Sequence, residues 1–519
     1  MFMKIKRKCY KLTTFLCLLF FLSGCTNTQQ SQEILSQETT IAPASDEKIL
    51  YTASQYAHPS LDTHKEYHGW YTSIYGISES LFKVGDDSSI QPLLAERGEV
   101  NGLVWTIVLK GNVCFSNGDP VTADMVIRNL KRTADENPRF AYLSEFTYEA
   151  LNDKTFTITT AELYPTMLSS LTACETGILH LDETIDFDNS IIGTGPFVLD
   201  DFVPEGTVKV VRNEQYWNGE VALDGAVFYR MADDDTLLMA MQNGEINTYT
   251  NVNAAAAEIF QADSDVYDVV TVPSPRLQFY ILNQNTLSAD VRKAINLTID
   301  ADKIVPYLGG TVSATAGPFS EGTAYGKVSK PSVDLAAAVS LLANDGYVKN
   351  GDGFFEKDGK MLEVNIAYYP ARSLDILATL MQGQLRELGV QATLSSYEKP
   401  DATYLATGDF DIALYSMNAD MSGDPAFFIN STLKDGSFCN AGGFKNAECE
   451  KLITQLSNEM DPVKRAELAV QIVQMAIDDN AFGYVALFNK ITVLRPGVTG
   501  YAENSPFDFY GIDAATDIK

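Results

Sequence analysis

The chain has 519 residues, of which 45% are hydrophobic and 20% charged, with 35 Gly and 19 Pro. This composition excludes wholesale disorder and collagen-like or low-complexity chains, and the length suits roughly two to four domain-sized units. Lys+Arg total 38 against 68 Asp+Glu, a net charge of -30, which argues against nucleic acid as a partner, since DNA and RNA need a basic face.

Residues 1–11 carry Lys4, Lys6, Arg7, Lys8 and Lys11 and no acid. The apolar run 12–22 has the length of a signal-peptide core and is too short to span a bilayer comfortably. It ends in Leu22-Ser23-Gly24-Cys25, which resembles a bacterial lipobox. Cleavage before Cys25 would place lipid on that cysteine; an ordinary secretory signal with an incidental cysteine is the alternative. Loss of residues 1–24, which hold five basic and no acidic side chains, would take the net charge from -30 to -35. Residues 25–45 form a stalk rich in Gln, Ser, Thr and Glu without hydrophobic period. No other stretch reaches the apolar length of a membrane span.

Beyond Cys25 the cysteines are Cys114, Cys174, Cys439 and Cys449, with no CxxC spacing. Zinc ribbons and thioredoxin motifs are therefore absent. Cys439 and Cys449 could bridge in an oxidising compartment; the plainer reading is a set of small buried thiols.

From about residue 49 strands and helices interleave, which predicts an α/β protein. Residues 103–109 and 155–160 read as strands, and Thr122 as the N-cap of a helix carrying Val126, Ile127 and Leu130. A helix from about Asp235 ends at Asn243-Gly244. Further helices are expected over 290–308, 333–344, 374–388, 448–458 and 462–478. Strands are expected at 364–368, 412–415 and 484–488. The chain contains no GxSxG, HExxH, GxxxxGK[ST] or strand-following GxGxxG motif, which moves weight from catalysis to binding and leaves no cofactor implied.

The segment 109–126 (LKGNVCFSNGDPVTADMV) resembles the signature of the family 5 solute-binding proteins, the extracytoplasmic peptide- and nickel-binding receptors of ABC importers. Gly111-Asn112 replaces the usual acid after the lysine. Similar matches follow in order: Gly193-Thr194-Gly195-Pro196-Phe197 with 208–217 (VKVVRNEQYW), the helix 235–246, Asn283 with 290–295, and Gly423-Asp424-Pro425 before Phe427-Phe428. The resemblance implies a two-lobed periplasmic-binding-protein-like α/β fold (class II) with a subdomain inserted in the first lobe. By analogy the first lobe comprises 46–82, 190–272 and 488–519, the inserted subdomain 83–189, and the second lobe 273–487. It also implies a monomeric, non-enzymatic lipoprotein on the outer face of the cell membrane, which takes a peptide between its lobes and hands it to ABC permease subunits. A nickel or metal-chelate ligand is one alternative, and a peptide-sensing signalling lipoprotein another.

A buried peptide needs an acid for its amine and a cation for its carboxylate. Asp420, just before the Asp424-Pro425 turn, stands where family members hold the amine, but one residue further away than usual. Arg372, between a strand and a helix, is the first candidate for the carboxylate, and Arg276, near the crossover, the next. Trp70 and Tyr71 are candidates for stacking on the ligand, although such aromatics also suit a core. His64 and His68 share a face if that stretch is helical, an i, i+4 spacing that suits a divalent metal; polar decoration of a loop is the plainer reading.

Overall fold

The computed structural model describes residues 47–181 and 184–519. The segments expected as signal peptide and stalk, with Cys25, lie outside these residues. Among the described residues no helix is long and apolar enough to cross a membrane.

An eleven-stranded sheet runs through both halves of the protein. In one half, Ile49–Ser54 lies parallel to Gly225–Arg230 and Thr248–Thr250. In the other, Glu363–Tyr368 lies parallel to Gln391–Ser396 and Ile412–Asn418. Two long antiparallel strands, Asp268–Leu282 and Phe482–Leu494, join the two sets. Asp268 faces Leu494 beside the first set, whereas Leu282 pairs with Ile412 in the second. Their pairing slips between Pro273 and Leu277, where Ser274-Pro275-Arg276 interrupts the ladder. A proline cannot donate to a ladder, and an irregularity of this kind re-aims neighbouring side chains.

Each half buries its own core. Leu342, Leu377, Met381 and Leu385 close one face of the second-lobe sheet, and Phe279, Phe428, Phe444 and Phe482 the other. The first lobe packs Leu50, Val210, Leu223 and Ala226 on one side, with Leu237, Met241 and Phe260 against Val493 on the other. A four-stranded antiparallel sheet with the helix Ala123–Glu136 forms a further core around Trp105, Ile107, Phe115 and Leu130. The fold is thus the expected two-lobed α/β arrangement.

Local chemistry accounts for the motifs. Thr122 is extended and its hydroxyl accepts from the Met125 amide, as an N-cap should. A Cβ on Gly193 or Gly195 would fall 2.1 Å from the carbonyl oxygen of Ile77 or Gly76, so only glycine admits that close approach. Beside this turn Glu79 accepts from the Tyr216 hydroxyl (2.7 Å) and the Trp217 indole N–H (3.0 Å). Burial pushes its carboxyl up to about 7, against those hydrogen bonds.

Several elements depart from expectation. The 290–308 helix is broken: Ala289–Asn296 ends before Asp300, whose side chain caps the short helix Ala301–Ile304. The helix expected from Asp235 starts one residue earlier, with Asp233 as its cap. The strand at 484–488 extends over Phe482–Leu494, because the crossover continues past the lobe it was assigned to. Cys439 and Cys449, by contrast, match the plainer reading as free, buried thiols.

Candidate ligand-binding site

In parallel α/β sheets ligands gather beyond the carboxyl ends of the strands. Here those ends place Tyr56 and Asn251 in the first lobe, and Tyr369, Arg372 and Asp420 in the second. Arg276 joins the second group because it pairs with Asn418, the last residue of its strand.

Arg276 lies within reach of the Arg372 charge. Burial lowers the pKa of Arg276, and the neighbouring Arg372 charge adds to that effect; Asp508, Tyr369 and Tyr56 act in the opposite direction. Neither guanidinium forms an ion pair among the described residues. Arg372 and Ser373 both sit in the left-handed region, at φ 58° and 56°. The side-chain amide of Gln278, on the crossover strand, donates to the Arg372 carbonyl at 2.5 Å and holds this turn. Backbone strain of this type persists only where the surroundings enforce it, and it clusters at ligand clamps. Two like charges held side by side without a partner favour an anionic ligand group between them.

An aromatic strip flanks the pair. Tyr369 stacks obliquely on Tyr415 (5.9 Å between centroids), and Tyr415 meets Phe438 edge-on at 6.0 Å. The Tyr369 hydroxyl donates to the Ser416 carbonyl and that of Tyr415 to Asp401.

The other candidates are engaged by neighbouring side chains. Asp420 is 4% exposed and fully engaged. Tyr325 donates to its Oδ2, while the Ser422 and Gly423 amides reach Oδ1 at 3.2 and 2.8 Å. Ser88, from a first-lobe hairpin, adds a further hydrogen bond. The expected amine partner is therefore a buried joint between the hairpin and the loop after Ile412–Asn418. Its extra residue allows the loop to fold back on its own carboxylate. Trp70 packs against Phe509 (5.5 Å) and bonds Glu175, and Tyr71 stacks on His58 at 4.3 Å. Both are half-buried on one short helix, His68–Ile74.

His64 precedes that helix, so it shares no helical face with His68. Its Nε2–H donates to the Gly177 carbonyl, and its Nδ1 accepts from Arg132, which also clamps Asp62 through two 2.7 Å bonds. Both ring nitrogens of His64 are thus occupied, so the i, i+4 metal-binding arrangement of His64 with His68 does not form. Among the described residues no cluster of three or more His, Cys, Asp or Glu is placed to hold a metal.

Burial pushes His64 and His58 down to about 4 from 6.5. Between these values the unfolded chain binds protons that the native state does not, so the stabilisation is full above pH 6.5 and is lost as pH falls toward 4. Glu79, raised to about 7, works in the opposite sense, so a difference measurement isolates the histidines. The stability gap between the protein and a His58→Gln/His64→Gln variant should shrink by on the order of a few kcal/mol from pH 7 to 4.5. Denaturant titrations of both proteins at the two pH values check this.

Sequence reasoning missed Tyr56, Asn251, Tyr369 and Asp508. The first three could have been found by the rule that named Arg372, since each follows a parallel strand. Asp508 carries no such signal. A separate cavity of about 460 Å³ within the second lobe, lined by Asp300, Asp302 and Lys330 among others, shares no residue with the arginine pair.

Two lobes linked by a crossover pair, with unpaired polar groups at the strand ends between them, define a bilobal ligand-binding protein. The family model described as bacterial extracellular solute-binding proteins, family 5 Middle, matches residues 89–438. The chain belongs to this family. It is 23% identical to the nickel-binding protein NikA of Staphylococcus aureus over 450 residues, covering 86% of this chain and 89% of that protein. It is 25% identical to the dipeptide-binding protein DppE of Bacillus subtilis over 549 residues, covering 96% and 97%. Among solved structures, the nickel ABC transporter protein of Bacillus halodurans superposes with a TM-score of 0.85 at 25% identity, covering 91% of this chain and all of that one.

Proposed function

We propose that this protein is the extracytoplasmic receptor of an ABC importer, tethered through lipid on Cys25, and that it captures a small carboxylate-bearing ligand, foremost a short peptide, between its lobes. The observation that carries this reading is the convergence of Arg276 and Arg372, unpaired and backed by Tyr369, at the strand ends. A guanidinium pair matches the planar, bidentate geometry of a carboxylate. The dipeptide-binding relative supports the peptide class. Closure of the lobes then presents the loaded form to the permease.

A nickel–histidine chelate is the second reading. It is favoured by the nickel-binding relative and by the nickel transporter structure, and its carboxylates would use the same arginines without protein ligands to the metal.

The test is the melting temperature of the protein, refolded to strip ligand, against di- to pentapeptide pools and against Ni²⁺ with and without free histidine. A ligand that binds only the native form raises stability by RT ln(1 + [L]/Kd). A shift with peptides supports the first reading. A shift only with Ni²⁺ and histidine supports the second, and no shift with either rejects both.

A further inference from the structure

The acid expected to meet a ligand amine, Asp420, is closed off by Tyr325, Ser88 and two backbone amides. A different carboxylate lies within electrostatic reach of Arg276. Solvent reaches Asp508, while the surrounding protein raises the pKa of its carboxyl against the opposing pull of Lys490, Asn251 and Arg276. Among the described residues no ion pair joins it to Lys490 or Arg276. A side chain that solvent can reach while protein surrounds it is lining a cleft.

The fold holds Asp508 there through Lys490. This lysine lies on the crossover strand Phe482–Leu494, pairs with Val272 of the other crossover, and is 3% exposed. Its ammonium donates to the carbonyls of Ala502 (2.9 Å), Ser505 (2.9 Å) and Phe507 (3.3 Å). Three bonds to one loop are all an ammonium has to offer. They fasten the C-terminal loop to the crossover a few residues from the interrupted register that presents Arg276. Phe507 and Phe509, on either side of Asp508, are buried and packed on each other, and Phe509 also meets Trp70. The flanking residues are thus anchored while Asp508 between them stays exposed. Among the described residues its hydrogen-bond partner is the Asn251 side chain, just after a first-lobe strand, so much of its acceptor capacity is left over.

We propose that Asp508 is the specificity-determining acid of the cleft: it receives a ligand ammonium opposite the Arg276–Arg372 carboxylate site and so restricts binding to zwitterions. This rests on the reading of the arginine pair as the carboxylate partner. With both ends of the ligand engaged, Asp508 sits on the first-lobe side and the arginines on the crossover and second lobe, so only a ligand carrying both charges ties the two sides together.

The test measures the melting-temperature response of the protein and of Asp508→Asn to three di- to pentapeptide pools: unmodified, N-acetylated and C-amidated. Asparagine keeps the shape and the bond to Asn251, and an unchanged ligand-free melting temperature verifies the fold; Asp508→Glu serves as a second variant that keeps the charge. The wild type should prefer the unmodified to the N-acetylated pool by about tenfold or more, the scale of a charge-assisted hydrogen bond. Asp508→Asn should bring that ratio to within about twofold while leaving discrimination against C-amides intact, and Asp508→Glu should retain most of it. A wild type that binds N-acetylated peptides equally well, or an Asp508→Asn that still rejects them, overturns the assignment and leaves the carboxylate site standing. Equal binding of C-amidated peptides overturns the arginine reading instead, and no response to any pool overturns both.

Discussion

Replacing Arg276 by alanine is expected to weaken binding of a carboxylate ligand by about 30- to 1000-fold, roughly 2–4 kcal/mol. Arg276 is the more buried of the pair, so its charge is less screened and its loss leaves the ligand carboxylate facing a single, more exposed cation. Arg372→Ala should cost less, on the order of tenfold, because that guanidinium is open to solvent. Lysine at position 276 should not restore affinity, since an ammonium lacks the planar fork that meets both carboxylate oxygens. Calorimetric titration with whichever ligand shifts the wild-type melting temperature checks all three variants. An Arg276→Ala protein that binds as tightly as the wild type would remove the arginine pair from the site.

The second large effect concerns stability. Arg465, 4% exposed, donates to both carboxylate oxygens of Asp424 through Nη2 (2.7 Å each) and through Nε at 3.0 Å. Its Nη1 binds the Leu456 carbonyl at 2.6 Å and that of Glu459 at 3.2 Å. Asp424→Ala would leave this guanidinium buried without its counter-charge, which costs about 3–5 kcal/mol. Arg465→Met with Asp424→Leu removes both charges at once and should recover much of that loss. Guanidinium chloride midpoints of the three proteins decide the matter; equal midpoints for Asp424→Ala and the wild type would refute it. The Gly423-Asp424-Pro425 turn therefore serves the second lobe as a staple. The same turn meets the first lobe, because a Cβ on Gly423 (φ 70°) would lie 2.5 Å from the Ser88 carbonyl oxygen.

Local signals were legible where local physics settles the outcome. Thr122 caps its helix because a short hydroxyl reaches the Met125 amide whatever lies beyond. Gly244 and Gly389 stop their helices in the left-handed conformation for the same local reason. The 290–308 stretch misled because its apolar period continues through Asp300, and a cap that ends one helix and starts another is invisible to periodicity. Asp420 misled differently. Its position along the chain fits the amine partner, but whether a carboxylate is free depends on donors from residues 88 and 325, far away in sequence.

From its sequence alone this protein reads as an α/β chain with a signal-peptide-like N-terminus and the ordered motifs of family 5, because each of these depends on residues close together along the chain. Only the tertiary structure decided which charges are available. It engaged Asp420 and both ring nitrogens of His64, set Arg276 within reach of the Arg372 charge, and brought Asp508 within reach of Arg276 from a distant part of the chain. A side chain's freedom to bind is set by the donors and charges that folding places around it, and those come from segments hundreds of residues apart.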